Sequence, residues 1–227
     1  MKLTNNLFAY VWKGNDNNCN TYVFANVLDN GKHIIIDPGH VVTPYLQEPA
    51  LDRLTQEIKN DGLKSEDIGL VILTHAHPDH TEAASRIKAI SNAKIAMLTD
   101  EVNLNKRYGG PNIDVTLTEG ELKLDSPLKS KIEIIRTPGH SSGHISIYWP
   151  QEKALAVGDV VFYHNIGRCE LPGGDAYQLK SSIERLMKFE AEYLLCGHPY
   201  DNPGVIQGKE NVRNNFEFIL KNVFAGF

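Results

Sequence analysis

A chain of 227 residues with 41% hydrophobic and 22% charged side chains has the composition of an ordinary globular protein able to bury a sizeable core. Its net charge of −5 argues against a general nucleic-acid binder, which needs clustered Lys and Arg. No run approaches the ~18 consecutive apolar residues of a membrane span. The N-terminal Met1-Lys2-Leu3-Thr4-Asn5-Asn6 lacks the apolar stretch of a signal peptide. Cys19, Cys169 and Cys196 are scattered and odd in number, which does not suit a disulfide framework, so a reducing cytoplasm is the expected location.

In chain order, β-rich apolar runs cover Leu7–Trp12, Thr21–Val27 and Lys32–Ile36, with Asp29-Asn30-Gly31 as a hairpin turn between the last two. Helical periodicity covers Leu51–Ile58, a strand Leu70–Leu73, a second helix Ala83–Ile90 and another strand Lys94–Leu98. Residues 100–112, ending near Gly109-Gly110-Pro111, read as a surface loop. Strands follow at Lys131–Arg136, Ile145–Trp149 and Ala154–Val157, then a helix at Leu179–Phe189 and a strand at Tyr193–Cys196. A last helix spans Val212–Val223, with Val212, Phe216, Ile219, Leu220 and Val223 on one face. Strands come first and then alternate with helices, twice over. That order predicts an α/β sandwich of two sheets with helices on the outside. A faint echo between Ile34–His40 and Ile134–His140 fits two matched halves.

The chemistry concentrates in Thr74-His-Ala-His-Pro-Asp-His, which supplies His75, His77, Asp79 and His80, and in three distant residues that each follow a glycine: His140, Asp159 and His198. Apolar runs lead into the motif and into each of the three, and Ile34–Ile36 leads likewise into Asp37. If those strands lie side by side, their C-terminal ends form one rim, where α/β folds place their sites. In extended chain, residues two apart point the same way, so His75 and His77 can grip one ion with His140. Asp79 and His80 can turn toward a second ion with His198, and Asp159, with two oxygens, can touch both. Imidazole with carboxylate suits Zn²⁺, Fe or Mn²⁺. Two such ions polarise a carbonyl and lower the pKa of bound water toward ~7, so hydrolysis by a metal-bound hydroxide is the expected reaction. Asp79 has a second reading, as the N-cap of a capping box Asp79-His80-Thr81-Glu82. His33 reads as a surface residue. His40, His144 and His164 are candidates to hydrogen-bond the ligands, as is Asp37 from below.

These motifs resemble the metallo-β-lactamase fold superfamily, together with Asn18-Cys19-Asn20-Thr21-Tyr22, Ile36-Asp37-Pro38-Gly39, Thr137–His140, Val157-Gly158-Asp159 and Cys196-Gly197-His198. The resemblance runs from about Leu7 to Val223. It implies one domain over residues 1–227, a four-layer αββα sandwich of two mixed sheets, and two ions at one edge. His75, His77 and His140 would hold one ion, Asp79, His80 and His198 the other, and Asp159 would bridge, with Asp79 and Asp159 as the catalytic carboxylates. Ile166-Gly167-Arg168-Cys169-Glu170-Leu171-Pro172-Gly173-Gly174-Asp175 places the chain nearest the glyoxalase II-like group, which hydrolyses thioesters such as hydroxyacylglutathiones. Arg168 would then bind substrate or fix its loop. Cys169-Glu170 departs from the Thr-Asp of short relatives. The 29 residues after His198 hold one helix, not the basic helical extension that grips glutathione in full-length enzymes, so glutathione specificity is not expected. A small-molecule thioester or ester is the expected partner, with two zinc ions as cofactor and a homodimer as the default assembly. Alternatives within the fold are a lactonase and a mono-iron persulfide dioxygenase. A purely structural metal is disfavoured, because such zinc sites are usually closed Cys-rich tetrahedra.

Overall fold

Strands that are apolar at every position need cover on both faces, and the way this chain provides it determines its architecture. The computed structural model describes every residue except Asn30, Ser126, Tyr200, Asp201, Pro203, Gly226 and Phe227. One six-stranded sheet orders β1 (Leu7–Tyr10), β2 (Thr21–Phe24), β3 (His33–Ile36), β4 (Ile68–Ile72), β5 (Lys94–Leu98) and β6 (Val115–Leu117) as numbered. β1 to β3 are antiparallel, and β3 to β6 run parallel. Parallel neighbours need long crossovers. These are made by α1 (Ala50–Asn60), by α2 (Pro78–Thr81) with α3 (Ala84–Ser91), and by α4 (Val102–Arg107).

The second six-stranded sheet contains β7 (Gly120–Glu121), β8 (Glu133–Arg136), β9 (Ile145–Trp149), β10 (Ala154–Gly158), β13 (Tyr193–Cys196) and β14 (Val205–Gln207). A small hairpin, β11 (Val161–Phe162) with β12 (Asn165–Ile166), and helix α5 (Ala176–Leu186) lie between β10 and β13 in sequence. Helix α6 (Lys209–Phe218) follows β14 and passes into a π-turn over Ile219–Val223.

Side chains alternate between layers. Ile34, Ile36, Leu70 and Ile72 from the first sheet meet Ile145, Ile147, Trp149, Ala154 and Ala156 from the second in the central core. Phe24 and Trp149 pack there with ring centroids 4.8 Å apart. Ile35, Val71 and Leu73 face the other way, against Leu54, Ile58 and Ile87 of α1 and α3. Leu155 and Val157 likewise meet Leu179, Ile183 and Phe216 of α5 and α6. The result is the four-layer αββα sandwich, and truncating a residue such as Ile35 to alanine costs about 2–5 kcal/mol.

The direction of the strands positions the site. β3, β4 and β5 end on one edge, and β8, β10 and β13, which share one direction, end there too. A register slip in the β10–β13 pairing between Ala156 and Gly158 turns the chain just before Asp159, as bulges beside sites commonly do.

Three expectations need correction. His33 is buried, because both faces of β3 are covered, and its Nδ1 accepts the Asn26 N–H at 3.1 Å. Residues 100–112 are not merely a surface loop: a 3-10 turn Thr99–Glu101 leads into α4, with Glu101 and Asn105 buried. Asp79 does not cap a helix, since Pro78 starts α2 and its N-cap position, His77, makes no side-chain cap bond. The β2–β3 hairpin forms, but Asn30 of its expected turn lies outside the described residues. The last helix starts earlier, at Lys209, and its expected face is kept: Val212, Phe216 and Ile219 are buried, with Leu220 and Val223 packed beside them.

Candidate metal centre

The loop after β4 bends at Thr74 and His75 and is extended at His77, and Pro78 at the first position of α2 swings Asp79 and His80 onto the first helical turn. Loops after β8, β10 and β13 deliver His140, Asp159 and His198. The donor atoms of these residues fall into three overlapping groups: His75, His77 and His140; His75, His80 and Asp159; and Asp79, His80 and His198. All the side chains singled out in the sequence as metal donors therefore converge at one edge of the sandwich.

The hydrogen bonds fix which nitrogen of each ring faces inward. The Thr74 hydroxyl donates to Asp37 Oδ2 (2.7 Å) and so accepts from His75 Nδ1 (3.0 Å). His80 Nδ1 donates to Asp37 Oδ2 at 2.9 Å, and His140 Nδ1 to the Arg168 carbonyl at 2.6 Å. Each ring thus turns its Nε2 toward the same space. His75 Nε2 and His140 Nε2 both lie 2.9 Å from His77 Nδ1, and one proton cannot satisfy three nitrogens. Asp159 sits between the groups, with Oδ1 3.2 Å from His80 Nε2 and Oδ2 3.6 Å from His140 Nε2 and 3.3 Å from His198 Nε2. Among the described residues its buried Oδ1 has no well-aligned hydrogen bond, with only the His80 ring beside it. A tetrahedral ion with ~2.0–2.1 Å bonds to nitrogen spaces its ligand atoms by ~3.3 Å. The donor set fits a cation in both charge and spacing.

The electrostatics divide the site in two. Burial, reinforced by the neighbouring rings, pushes His75 well below its usual range and His77 down to about 4, so both are neutral lone-pair donors. Burial also opposes charge on His198 and His80. For His198, Asp159 and Asp79 outweigh it and hold the ring up at about 9. For His80, Cys19, Asp159 and Asp37 outweigh it, and the ring stays well above its usual range. Burial likewise opposes ionisation of Asp79 and Asp159, but His198 and His80 keep both carboxyls well below the usual range.

Neighbouring residues lock the frame. Asn20 N donates to Gly197 O at 2.7 Å, and the Tyr22 hydroxyl donates to Cys196 O at 2.6 Å, pinning the loop before β2 to the His198 loop. His144 stacks on His75 with centroids 5.0 Å apart, and its Nε2 accepts the Asp159 N–H at 3.2 Å. Gly158 has φ +46°, and a Cβ there would lie 2.7 Å from His144 Nε2 and Thr74 Oγ1. Of the other candidate neighbours, His40 pairs with Glu82, while His164 stacks between Tyr163 and Phe218. Arg168 holds His140 through its backbone, and its exposed guanidinium donates to Glu170 at 2.6 Å. Sequence reasoning missed Asn17, whose amide donates to Asp79 Oδ2 at 2.8 Å, and Tyr108, whose ring lies 5.7 Å from that of His77. It also missed Glu101.

The family model of the metallo-beta-lactamase superfamily matches residues 14–198, spanning all seven candidate metal donors. The chain belongs to that superfamily. A probable metallo-hydrolase of Methanocaldococcus jannaschii is 37% identical over 174 residues, covering 71% of this chain and 78% of its own. The hydroxyacylglutathione hydrolase GloC of Haemophilus influenzae is 36% identical over 187 residues, covering 75% and 81%. The crystal structure of TTHA1623 in a di-iron-bound form superposes with a TM-score of 0.65 at 26% identity, covering 84% of this chain and 91% of that one. This metallo-beta-lactamase superfamily member is a metal-dependent hydrolase, and its clustered His and Asp side chains could hold divalent metal. Among the described residues no helix is long and apolar enough to cross a membrane.

Proposed function

We propose that this hydrolase cleaves a small thioester or related ester, with His75, His77 and His140 holding one ion, Asp79, His80 and His198 a second, and Asp159 between them. The observation that carries this reading is the convergence of inward-facing Nε2 atoms on Asp159, with every outward Nδ1 of His75, His80 and His140 donating to the protein. The hydroxyacylglutathione hydrolase relatives supply the substrate class. When bound, such ions polarise a carbonyl and bring the pKa of a coordinated water near ~7. Asp79 and Asp159 stay ionised, so their catalytic contribution is to hold charge in place and not to carry protons. Asp79 and His77 are the less buried members, and with Asn17 and Tyr108 they border the side from which substrate enters. A thiolate is a far better leaving group than an alkoxide, because thiols ionise near pKa ~8.5. Zinc is the proposed resident ion, and iron the alternative.

The test is to strip the metal, reload with zinc, iron or manganese, and follow thiol release from an S-acyl glutathione and from a simpler S-acyl thiol. Metal-dependent thiol release that vanishes in Asp159→Ala is expected. Oxygen consumption with a persulfide and no thiol release would replace the hydrolytic reading, and cleavage of lactones alone would narrow it to cyclic esters.

A further inference from the structure

Glu101 is a fully buried carboxylate outside the donor set, and among the described residues it has no ion pair. The 3-10 turn at the end of β5 aims it between two loops. Its Oε1 accepts the N–H of Ala76, which lies between His75 and His77, at 3.1 Å. Its Oε2 accepts the N–H of Gly143, three residues after His140, at 2.7 Å. One loop belongs to the first sheet and the other to the second. The packing is tight: a Cβ on Gly143 would lie 2.6 Å from Glu101 N and 2.7 Å from Oε2. A buried charge is costly unless its surroundings satisfy it. Two backbone donors, one on each oxygen, suit a carboxyl group and not an amide, whose nitrogen would set a donor against a donor.

We propose that Glu101 is the positioning residue of the three-imidazole pocket, clamping the His75–His77 loop to the His140 loop and so setting the spacing of the three nitrogens. This rests on reading those imidazoles as ligands of one ion. Groups that orient ligands commonly contribute 10–100-fold to metal affinity.

The experiment measures zinc affinity by chelator competition in the full chain in two backgrounds. His198→Ala leaves the three-imidazole pocket complete, and His77→Ala leaves the Asp79–His80–His198 pocket complete. Glu101→Gln is expected to weaken zinc about 10–100-fold in the first background and less than about threefold in the second. Glu101→Asp, which keeps the charge but reaches one amide, should fall between. It also serves as the readout should the glutamine variant fail to fold. Thermal melting of the metal-free proteins separates positioning from general support. Equal affinities with and without Glu101, or losses in both backgrounds that track the melting temperature, overturn the proposal. Retention of full zinc affinity by His140→Ala in the His198→Ala background instead removes the ligand reading on which it stands.

Discussion

Gly197→Ala tests the site by space alone, because Gly197 is absent from the positive-φ positions and an alanine backbone fits there. A Cβ at 197 would lie 2.1 Å from Asp159 Oδ1, 2.9 Å from Gly158 C and 3.0 Å from Gly158 O. Ordinary contact begins near 3.4 Å, so the carboxylate oxygen must retreat by 3.4 − 2.1, or about 1.3 Å. Metal–ligand distances hold to about ±0.2 Å, so the retreat is several times what coordination tolerates. The Gly158 carbonyl carbon at 2.9 Å must shift as well, and overpacking of this kind costs about 1–3 kcal/mol. A misplacement of ~1 Å at reacting groups costs about 100-fold in rate. The expected result is loss of at least one bound ion per chain by elemental analysis and a fall of about 100-fold in thiol release, with a folded far-UV spectrum. Gly62→Ala, remote from the site with nothing within 4 Å of its new Cβ but with φ at +79°, controls for backbone strain alone and should keep both properties. Two ions per chain and activity within about threefold in Gly197→Ala would refute the placement of Asp159 between the ions.

Three further outcomes are expected. Filling the Asp79–His80–His198 pocket at pH 7 should release protons, because His80 and His198 are held charged without metal, whereas the other pocket should release fewer, because burial keeps His75 and His77 neutral; calorimetric titration of the His77→Ala and His198→Ala variants in buffers of differing ionisation heat reads the difference, and equal release contradicts it. Asp37→Ala should lose about 2–5 kcal/mol in urea unfolding, because it strands the Thr74 N–H, the Thr74 hydroxyl and His80 Nδ1 in a buried setting. Burial holds His33 below its usual pKa, so below about 6.5 the unfolded chain binds more protons and stability falls with falling pH; His33→Gln should flatten that part of the melting-temperature profile, and an unchanged slope counts against it.

Much of the fold was legible because its strands are short apolar runs that each end in a polar residue. Ile34–Ile36 ending at Asp37 and Tyr193–Cys196 leading to His198 mark the edge where chemistry collects. The shorter pieces escaped notice: Gly120–Glu121, Val161–Phe162 and Asn165–Ile166 carry too few residues for a period to show. His33 was misread because a histidine in a strand suggests a wet face, while this strand has none. Glu101 left no local trace, since its partner amides lie 25 and 42 residues away. The carboxylate of Asp79 looked like a cap because only the three-dimensional path of Asn17 and His198 shows where it turns.

The edge described above joins the two sheets in an unequal way. His75, His77, Asp79 and His80 leave the first sheet, while His140, Asp159 and His198 leave the second. A cation gripped by both sets is a rivet through the sandwich at one rim, while the opposite rim is hinged by the backbone bonds Asp29 N–Pro127 O at 3.1 Å and Lys129 N–Val27 O at 2.8 Å. Chelation should therefore let the layers part like a book, and amide exchange should quicken first beside Thr74 and Ile145, whose backbone bond at 2.9 Å spans the seam.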